Sequence, residues 1–169
     1  ASARQTTVRA ALRVNPDVDP KTHRHTTTGK KETKFGVDIE RARRAFEDYG
    51  RNHAVRLCGI HLHIGSPVNA IQPYVEAIEK ALDLIVALRR DGFEIDTLDI
   101  GGGYSADYST GEDLSAKAYA QMIVPLLRGQ GLKIILEPGR SIAANAGILV
   151  TRTLFIKRSG DRQFAIVDG

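Results

Sequence analysis

The sequence has very little of several things, and each absence excludes a class of protein. Only one of its 169 residues is a cysteine, Cys58, so an intrachain disulfide and a zinc cluster of thiolates are both excluded, as expected for a reducing compartment. No apolar run approaches the roughly 20 residues that a membrane helix needs, and the N-terminal residues lack the apolar core of a signal peptide. These absences predict a cytoplasmic protein that does not enter a membrane.

Aromatic residues are also scarce, at 6%, whereas basic residues give the chain a net charge of +4. Part of this charge lies in one polar segment, whose basic side chains are Lys21, Arg24, Lys30, Lys31 and Lys34. No aromatic side chain lies between them to stack on nucleic-acid bases, so a solvated loop is favoured over a nucleic-acid surface. We therefore expect no nucleic-acid partner.

Apolar periodicity divides the chain into buried strands and amphipathic helices. Predicted strands cover residues 8–14, 55–64, 97–100 and 133–136, followed by two consecutive strands at 147–157 and 163–167. Apolar helix positions are Ile39, Ala42, Phe46 and Tyr49 between the cap Asp38 and the stop Gly50, then Ile71, Val75, Ile78, Leu82 and Ile85, then a segment around Tyr119 that contains Pro125. On the outer face of the second helix we expect Glu76 to pair with Lys80.

The order of these elements predicts the fold class. Strand and helix alternate three times before a fourth strand, which indicates an α/β protein with parallel strands. A (β/α)8 barrel and an open doubly wound sheet both fit this alternation, and periodicity alone does not separate them. The closing hairpin, with its turn at residues 159–161, marks the start of an all-β region. We therefore predict a domain boundary that divides residues 1–145 from 146–169.

In either architecture, ligands bind at the carboxyl ends of the strands. The residues that follow the predicted strands include three consecutive glycines, Gly101 to Gly103. Their bare backbone amides could hold a phosphate, or the glycines could simply make a tight turn, and the two interpretations have similar weight. A dinucleotide site is disfavoured, because GGGYSADYSTG continues as a polar loop instead of forming GxGxxG at the start of a helix.

Two histidines lie on one predicted strand, and a carboxylate follows another. His61 and His63 are two apart and would share one face, but no HExxH motif or cysteine pair supports a metal site, and we expect none. Glu137 ends a buried strand, where it requires a cationic partner. That partner could be a protonated heterocycle nitrogen, or Arg140 in a structural ion pair. Arg13 and Arg140 could each bind phosphate or carboxylate, or merely balance nearby acids.

Four motifs of this chain resemble those of the diaminopimelate decarboxylases over essentially its whole length. The motifs are VNPDVDPKTHRHTTTGKKETKFG at 14–36, GIHLHIGS at 59–66, LDIGGGY at 98–104 and EPGRSIAANAGILVTR at 137–152. HIGS, GGG and EPGR are shared with the ornithine and arginine decarboxylases, whereas KTHRHTTTGKKETKFG and EPGRSIAANAG are typical of the diaminopimelate branch.

The resemblance implies the later half of a (β/α)8 barrel of the alanine-racemase type, running into a β-domain, with pyridoxal phosphate at the strand ends. It implies a homodimeric enzyme of lysine biosynthesis that decarboxylates meso-2,6-diaminopimelate to L-lysine. Two residues would be catalytic: Glu137, paired with the ring nitrogen, and His63, stacked on the ring. The other implied cofactor contacts are Arg13, Ser66, Gly101, Gly102, Gly103, Pro138, Gly139 and Arg140. Arg140 would also lie near a substrate carboxylate.

A carboxylate beside the ring nitrogen keeps that nitrogen protonated, so the ring accepts the electrons released on loss of carbon dioxide. Racemases of this fold have a cation there, and Glu137 therefore favours decarboxylation. The sequence also departs from the family pattern. It has no lysine in a motif resembling YAxKA, where the family's Schiff-base lysine lies, and it lacks the catalytic cysteine and tyrosine of the β-domain.

We therefore expect a fragment, inactive by itself, whose four barrel strands leave two unpaired edges. Two alternatives remain. One is another basic-amino-acid decarboxylase of the same fold, acting on ornithine or arginine. The other is a truncated, non-catalytic homologue that binds a phosphate ligand or a partner protein.

Overall fold

The computed structural model of the chain describes residues 6–19, 34–106, 108 and 115–169. Most of the basic segment, with Lys21, Arg24, Lys30 and Lys31, lies outside them, as does much of the polar loop after the glycines. The strands are β1 (Val8–Asn15), β2 (Val37–Asp38), β3 (Val55–His61), β4 (Thr97–Asp99), β5 (Lys133–Ile135), β6 (Thr153–Ser159) and β7 (Arg162–Val167). The helices are α1 (Ile39–Tyr49), α2 (Gln72–Arg90), α3 (Ala116–Leu127) and α4 (Gly139–Ala143). No helix of the described ranges is long and apolar enough to cross a membrane.

Five strands form one parallel sheet in the order β2-β1-β3-β4-β5. The four main strands are therefore neighbours in the same order as in the chain, each joined to the next through a helix. An open doubly wound sheet reverses its strand order at a switch point, whereas a barrel does not. This order agrees with the barrel interpretation of the sequence.

The first helix begins and ends where the sequence predicts. The Asp38 carboxylate accepts a hydrogen bond of 2.8 Å from the Arg41 amide, and the Gly50 amide donates to the Phe46 carbonyl at 2.8 Å. Ala42 and Phe46 are buried as expected, but the placement of Tyr49 on the buried face was wrong, because its side chain is 65% exposed. Phe46 makes the core contact at this end of the helix, edge-on to Phe93.

The buried face of the second helix consists of a different set of residues from the predicted one. Ile78 and Ile85 are in the core, but the centre of the buried face is formed by Tyr74, Ala77, Ala81, Leu84 and Leu88. Periodicity gives the type of an element, but the packing angle against the sheet decides which stripe faces inward. Lys80 donates to the carbonyls of Pro16 and Asp17, at 2.8 and 2.9 Å, so its contacts are with the loop after β1.

Four strands are shorter than predicted, and β4 and β5 lack only the last predicted residue. β3 ends at His61 instead of at residue 64, because the chain turns away through Gly65 at φ 148°. Its first two residues are exposed, so the prediction of burial on both faces was wrong there. The first strand of the hairpin begins at Thr153 instead of at residue 147. The antiparallel hairpin itself is confirmed, with Ser159 opposite Arg162 and Gly160 at φ 58° in the turn. The proposed boundary between residues 145 and 146 stays a prediction.

The two faces of the parallel sheet differ in chemistry. On the outer face, large apolar side chains such as Ile60 and Leu98 pack against the helices. On the inner face, the small residues Ala11, Gly59 and Thr97 stand side by side across three strands. Toward the carboxyl ends of the same strands, this inner face becomes polar.

Candidate active site

A polar row crosses the inner face at the carboxyl end of the sheet. Arg13 of β1 is paired in register with His61 of β3, and His61 is paired with Asp99 of β4. Paired residues of neighbouring strands point to the same side of a sheet, so these three side chains lie next to one another. The strand register thus assembles a cation, an imidazole and a carboxylate from residues that are far apart in sequence.

Glu137, which lies just past the end of β5, is next to this row. His61 Nε2 lies 3.4 Å from Glu137 Oε2, and potential ligand atoms of His61, Asp99 and Glu137 all lie within 4.8 Å of one another. The structural alternative for Glu137 was an ion pair with Arg140, but its partner here is His61. Arg140 Nη1 instead lies 3.4 Å from the Tyr108 hydroxyl.

Arg13 faces the same space. Its guanidinium lies 3.4 Å from the His63 carbonyl oxygen through Nη2, and its centre lies 5.4 Å from the centroid of the Phe35 ring. Burial lowers the pKa of Arg13, and the negative charge of Glu137 partly offsets this effect. The buried Nε atom has no hydrogen-bond partner among the described residues. Arg13 is therefore a cation at the edge of the site, and its Nε is a hydrogen-bond donor that no described residue uses.

His63 lies past the end of β3, and its contacts differ from those of His61. Its Nδ1 lies 3.5 Å from the amide nitrogen of Gly102. Burial lowers the pKa of His63, and the positive charge of Arg13 adds to this effect. The imidazole is therefore neutral near pH 7. The metal pair considered for His61 and His63 is not what the structure assembles, since His61 is grouped with Asp99 and Glu137.

The three glycines have a packing reason for their identity. A Cβ atom at Gly101, Gly102 or Gly103 would lie 2.2, 2.1 or 2.0 Å from the carbonyl oxygen of Leu62, Glu137 or Gly65, respectively. Gly101 and Gly103 also have positive φ angles of 70° and 93°, which favour glycine. The tight-turn interpretation thus accounts for the residue type, and the phosphate interpretation of these glycines stays a prediction.

The remaining predicted contacts surround this turn. Ser66 is half-buried and precedes Pro67 in a cis peptide bond. Pro138 precedes α4, whose first residues are Gly139 and Arg140. A Cβ atom at Gly139 would meet nothing within 4 Å, so packing within the protein does not explain why glycine stands there. The structure assigns no ligand role to these four residues.

Sequence reasoning missed a cluster of three tyrosines behind the glycine turn. The Tyr74 ring stacks on Tyr104 with centroids 5.0 Å apart, and Tyr119 meets both edge-on. The Tyr119 hydroxyl donates to the Val68 carbonyl at 2.9 Å. Burial raises the pKa of Tyr104 to about 12 and that of Tyr74 further. Two tyrosines at buried helix positions were the available signal, since a buried hydroxyl requires a partner.

The family model for the pyridoxal-binding domain of pyridoxal-dependent decarboxylases matches residues 2–144. The chain belongs to this family. Diaminopimelate decarboxylase of Aquifex aeolicus is 47% identical to it over 161 residues, which are 95% of this chain and 38% of that protein. The chain thus spans about two fifths of the length of that relative.

Solved structures agree with the family and the fold. The crystal structure of diaminopimelate decarboxylase from Helicobacter pylori, complexed with L-lysine, matches with a TM-score of 0.87 at 36% identity, over 99% of this chain and 42% of that chain. The arginine decarboxylase of Paramecium bursaria Chlorella virus matches with a TM-score of 0.71 at 26% identity, over 91% and 40%. The parallel sheet is therefore part of the decarboxylase barrel, as predicted.

The residues of the candidate site fit the pyridoxal cofactor of the family. Pyridoxal phosphate has a basic ring nitrogen, a ring hydroxyl, an aromatic face and a phosphate. The described site offers an exposed carboxylate at Glu137, a guanidinium at Arg13 and a neutral imidazole at His63. Two buried atoms without a hydrogen-bond partner in the described part of the chain, Arg13 Nε and His61 Nε2, lie around the same space. The donor set therefore suits this cofactor.

Proposed function

We propose that this chain forms the cofactor-binding part of an enzyme that decarboxylates meso-2,6-diaminopimelate to L-lysine, in lysine biosynthesis. The observation that supports the proposal is the half-exposed carboxylate of Glu137 beside the polar row, where it would pair with a ring nitrogen. The relatives named diaminopimelate decarboxylase support the substrate, at 47% and 41% identity. Because the chain spans under half of each of them, the activity of the whole protein is a proposal.

When bound, pyridoxal phosphate supplies an electron sink for the bond to the departing carboxyl group. Glu137 would hold the ring nitrogen in its protonated form, since a carboxylate at hydrogen-bond distance favours the charged heterocycle. His63 would cover one face of the ring, and Arg13 would lie near the ring hydroxyl.

The phosphate group would be held beside the glycine turn. We propose contacts from Ser66, from the turn formed by Gly101, Gly102 and Gly103, and from the backbone of Gly139 and Arg140, with Pro138 shaping that segment. The exposed surface at Gly139 leaves room for an anion to approach the backbone closely. Arg140, which is exposed, would also bind a substrate carboxylate as a planar fork.

The Schiff-base lysine, together with the cysteine and tyrosine of the β-domain, would be supplied by other parts of the enzyme, the latter pair from a partner subunit. A homodimer is therefore part of the proposal. So is a cytoplasmic location, which the single cysteine supports.

A second candidate is decarboxylation of arginine or ornithine, which the match to the viral arginine decarboxylase supports. The lower identity of that match, 26% against 47%, favours diaminopimelate.

The test is carbon dioxide release by the full-length enzyme that carries this chain, with diaminopimelate, ornithine and arginine supplied separately. We expect turnover of diaminopimelate, reduced at least about a hundredfold by Glu137→Gln, because the charge at the ring nitrogen is lost while the shape is kept. Glu79→Gln, on the exposed side of α2, is the matched control. Turnover of arginine or ornithine in place of diaminopimelate would favour the second candidate, and no turnover would favour the non-catalytic alternative.

A further inference from the structure

We propose that His61 is a positioning residue for Glu137: its Nε2 donates a hydrogen bond to the carboxylate and so fixes Glu137 for the cofactor's ring nitrogen. This inference rests on the proposed function. It concerns a residue of the polar row that is not among the cofactor contacts implied by the family resemblance.

The first reason is that the partly buried His61 side chain lies next to the carboxylate of Glu137. Its Nε2 is buried and has no hydrogen-bond partner among the described residues, while Glu137 Oε2 lies 3.4 Å away. That separation is slightly long for a hydrogen bond. A buried donor without a partner is costly, at about 1–3 kcal/mol, so a small rotation of Glu137 that closes the gap is favourable.

The second reason is that the Glu137 side chain makes no hydrogen bond with any residue that the structure describes. The backbone of Glu137 is fixed, because its amide donates to the Gly101 carbonyl at 2.9 Å and its carbonyl accepts from the Gly139 amide at 2.8 Å. Its side chain, however, lies past the end of β5 and is 50% exposed. An exposed glutamate samples several rotamers, whereas a ring-nitrogen partner must keep one.

The third reason is that His61 is itself held firmly. It is the last residue of β3, paired with Arg13 on one side and with Asp99 on the other. Its side chain is only 21% exposed. Asp99 is fixed in turn, because its Oδ1 accepts a hydrogen bond of 2.9 Å from the Gly101 amide. His61, which is fixed on a strand, thus restrains the exposed side chain of Glu137. The second carboxylate oxygen of Glu137 is left for the ring nitrogen.

A divalent cation among His61, Asp99 and Glu137 is the competing explanation, since three donor atoms lie within 4.8 Å. The guanidinium of Arg13 stands next to His61 in the same row and already interacts with the charge of Glu137. A second, divalent charge there would be repelled by Arg13. The arrangement therefore favours a hydrogen-bonded positioning role over a metal centre.

The experiment compares four forms of the full-length enzyme: wild type, His61→Leu, Glu137→Gln and the double variant. Cofactor affinity is measured by titrating pyridoxal phosphate into the cofactor-free protein and following absorbance, and kcat and KM are measured separately. We expect His61→Leu to weaken cofactor binding about tenfold and to lower kcat with little change in KM. The double variant should be no worse than Glu137→Gln alone, because His61 acts through Glu137.

Two further variants separate positioning from folding. His61→Gln keeps an amide donor near the place of Nε2 and should recover most of the affinity and kcat. His53→Leu, at an exposed position before β3, should behave as wild type. If Glu137→Gln weakens cofactor binding while His61→Leu does not, or if the two effects add, the inference is wrong and the proposed function stands. If wild type binds no pyridoxal phosphate, the proposed function fails and the inference falls with it.

Discussion

The hydroxyl of Tyr74 donates a hydrogen bond of 2.9 Å to the carbonyl of Gly102. Tyr74 belongs to α2, which packs on the outer face of the sheet, whereas Gly102 lies in the turn that borders the candidate cofactor site. This bond crosses from the core to the site and fixes the middle residue of the glycine turn. The geometry of the site therefore depends on a residue that is itself buried in the core.

Removal of this hydroxyl by Tyr74→Phe leaves the buried Gly102 carbonyl without its donor. We expect the free energy of unfolding to fall by about 1–3 kcal/mol, together with a weaker affinity for pyridoxal phosphate. Chemical denaturation and cofactor titration measure the two effects. Tyr49→Phe, on an exposed face of α1, is the matched control. Equal stability of the two variants would show that the hydrogen bond is not needed.

The contact between Gly102 and Glu137 predicts the effect of a single methyl group. In Gly102→Ala, the new Cβ would lie 2.1 Å from the Glu137 carbonyl oxygen, so the backbone of one of the two segments must move. We expect a loss of about 1–3 kcal/mol of stability and a marked loss of cofactor affinity, since Glu137 shifts. Gly147→Ala, where a Cβ meets nothing within 4 Å, controls for the substitution itself. An affinity unchanged by Gly102→Ala would separate the glycine turn from the site.

The environment of His63 predicts a dependence of stability on pH. Its pKa in the folded protein is lowered below the ordinary value of 6.5, by burial first and then by Arg13. The unfolded chain therefore binds a proton more readily than the folded protein does. The stability that this group contributes is present above pH 6.5 and is lost as the pH falls through the folded-state pKa.

We expect His63→Gln to flatten the fall in unfolding free energy as the pH drops below about 6.5, because glutamine does not take up a proton. Urea unfolding at several pH values measures this slope. His53→Gln, at an exposed position, should leave the slope as it is in wild type. A slope that is steeper in His63→Gln would mean that the direction of the pKa shift is wrong.

The hydrogen bonds of Lys80 predict that this residue stabilises the loop after β1. Its ammonium donates to the carbonyls of Pro16 and Asp17, and Asp17 has an unusual φ of 54°. Lys80→Met keeps the apolar stem and removes both bonds, so we expect a loss of about 1–2 kcal/mol and faster amide exchange in this loop. Lys117→Met, on an exposed position of α3, serves as comparison. Unchanged exchange near Asp17 would contradict the role of Lys80.

Part of the structure could be predicted from local signals in the sequence. Asp38 and Gly50 fixed both ends of α1, because capping depends on neighbouring residues. The placement of Glu137 just after a strand was also predicted from the sequence, but the expected burial of that strand was wrong, because β5 is only partly buried and the Glu137 side chain is 50% exposed. These features depend on a few adjacent residues, which a sequence shows directly.

Other features depend on how strands lie beside one another. The contact of His61 with Glu137 requires the register of β3, β4 and β5, and the packing of Gly102 on Glu137 requires the same strand ends to meet. The buried face of α2 follows from its angle to the sheet, so Tyr74 could not be placed against Gly102 in advance. Periodicity carries none of this information.

The central claim is that Glu137 meets the ring nitrogen of pyridoxal phosphate. The most direct measurement is a crystal structure of the full-length enzyme with the cofactor bound. The account predicts a carboxylate oxygen of Glu137 at about 2.7–3.2 Å from the ring nitrogen, with His61 donating to the same carboxylate. A ring nitrogen that faces another residue, with Glu137 turned away from the cofactor, would contradict it.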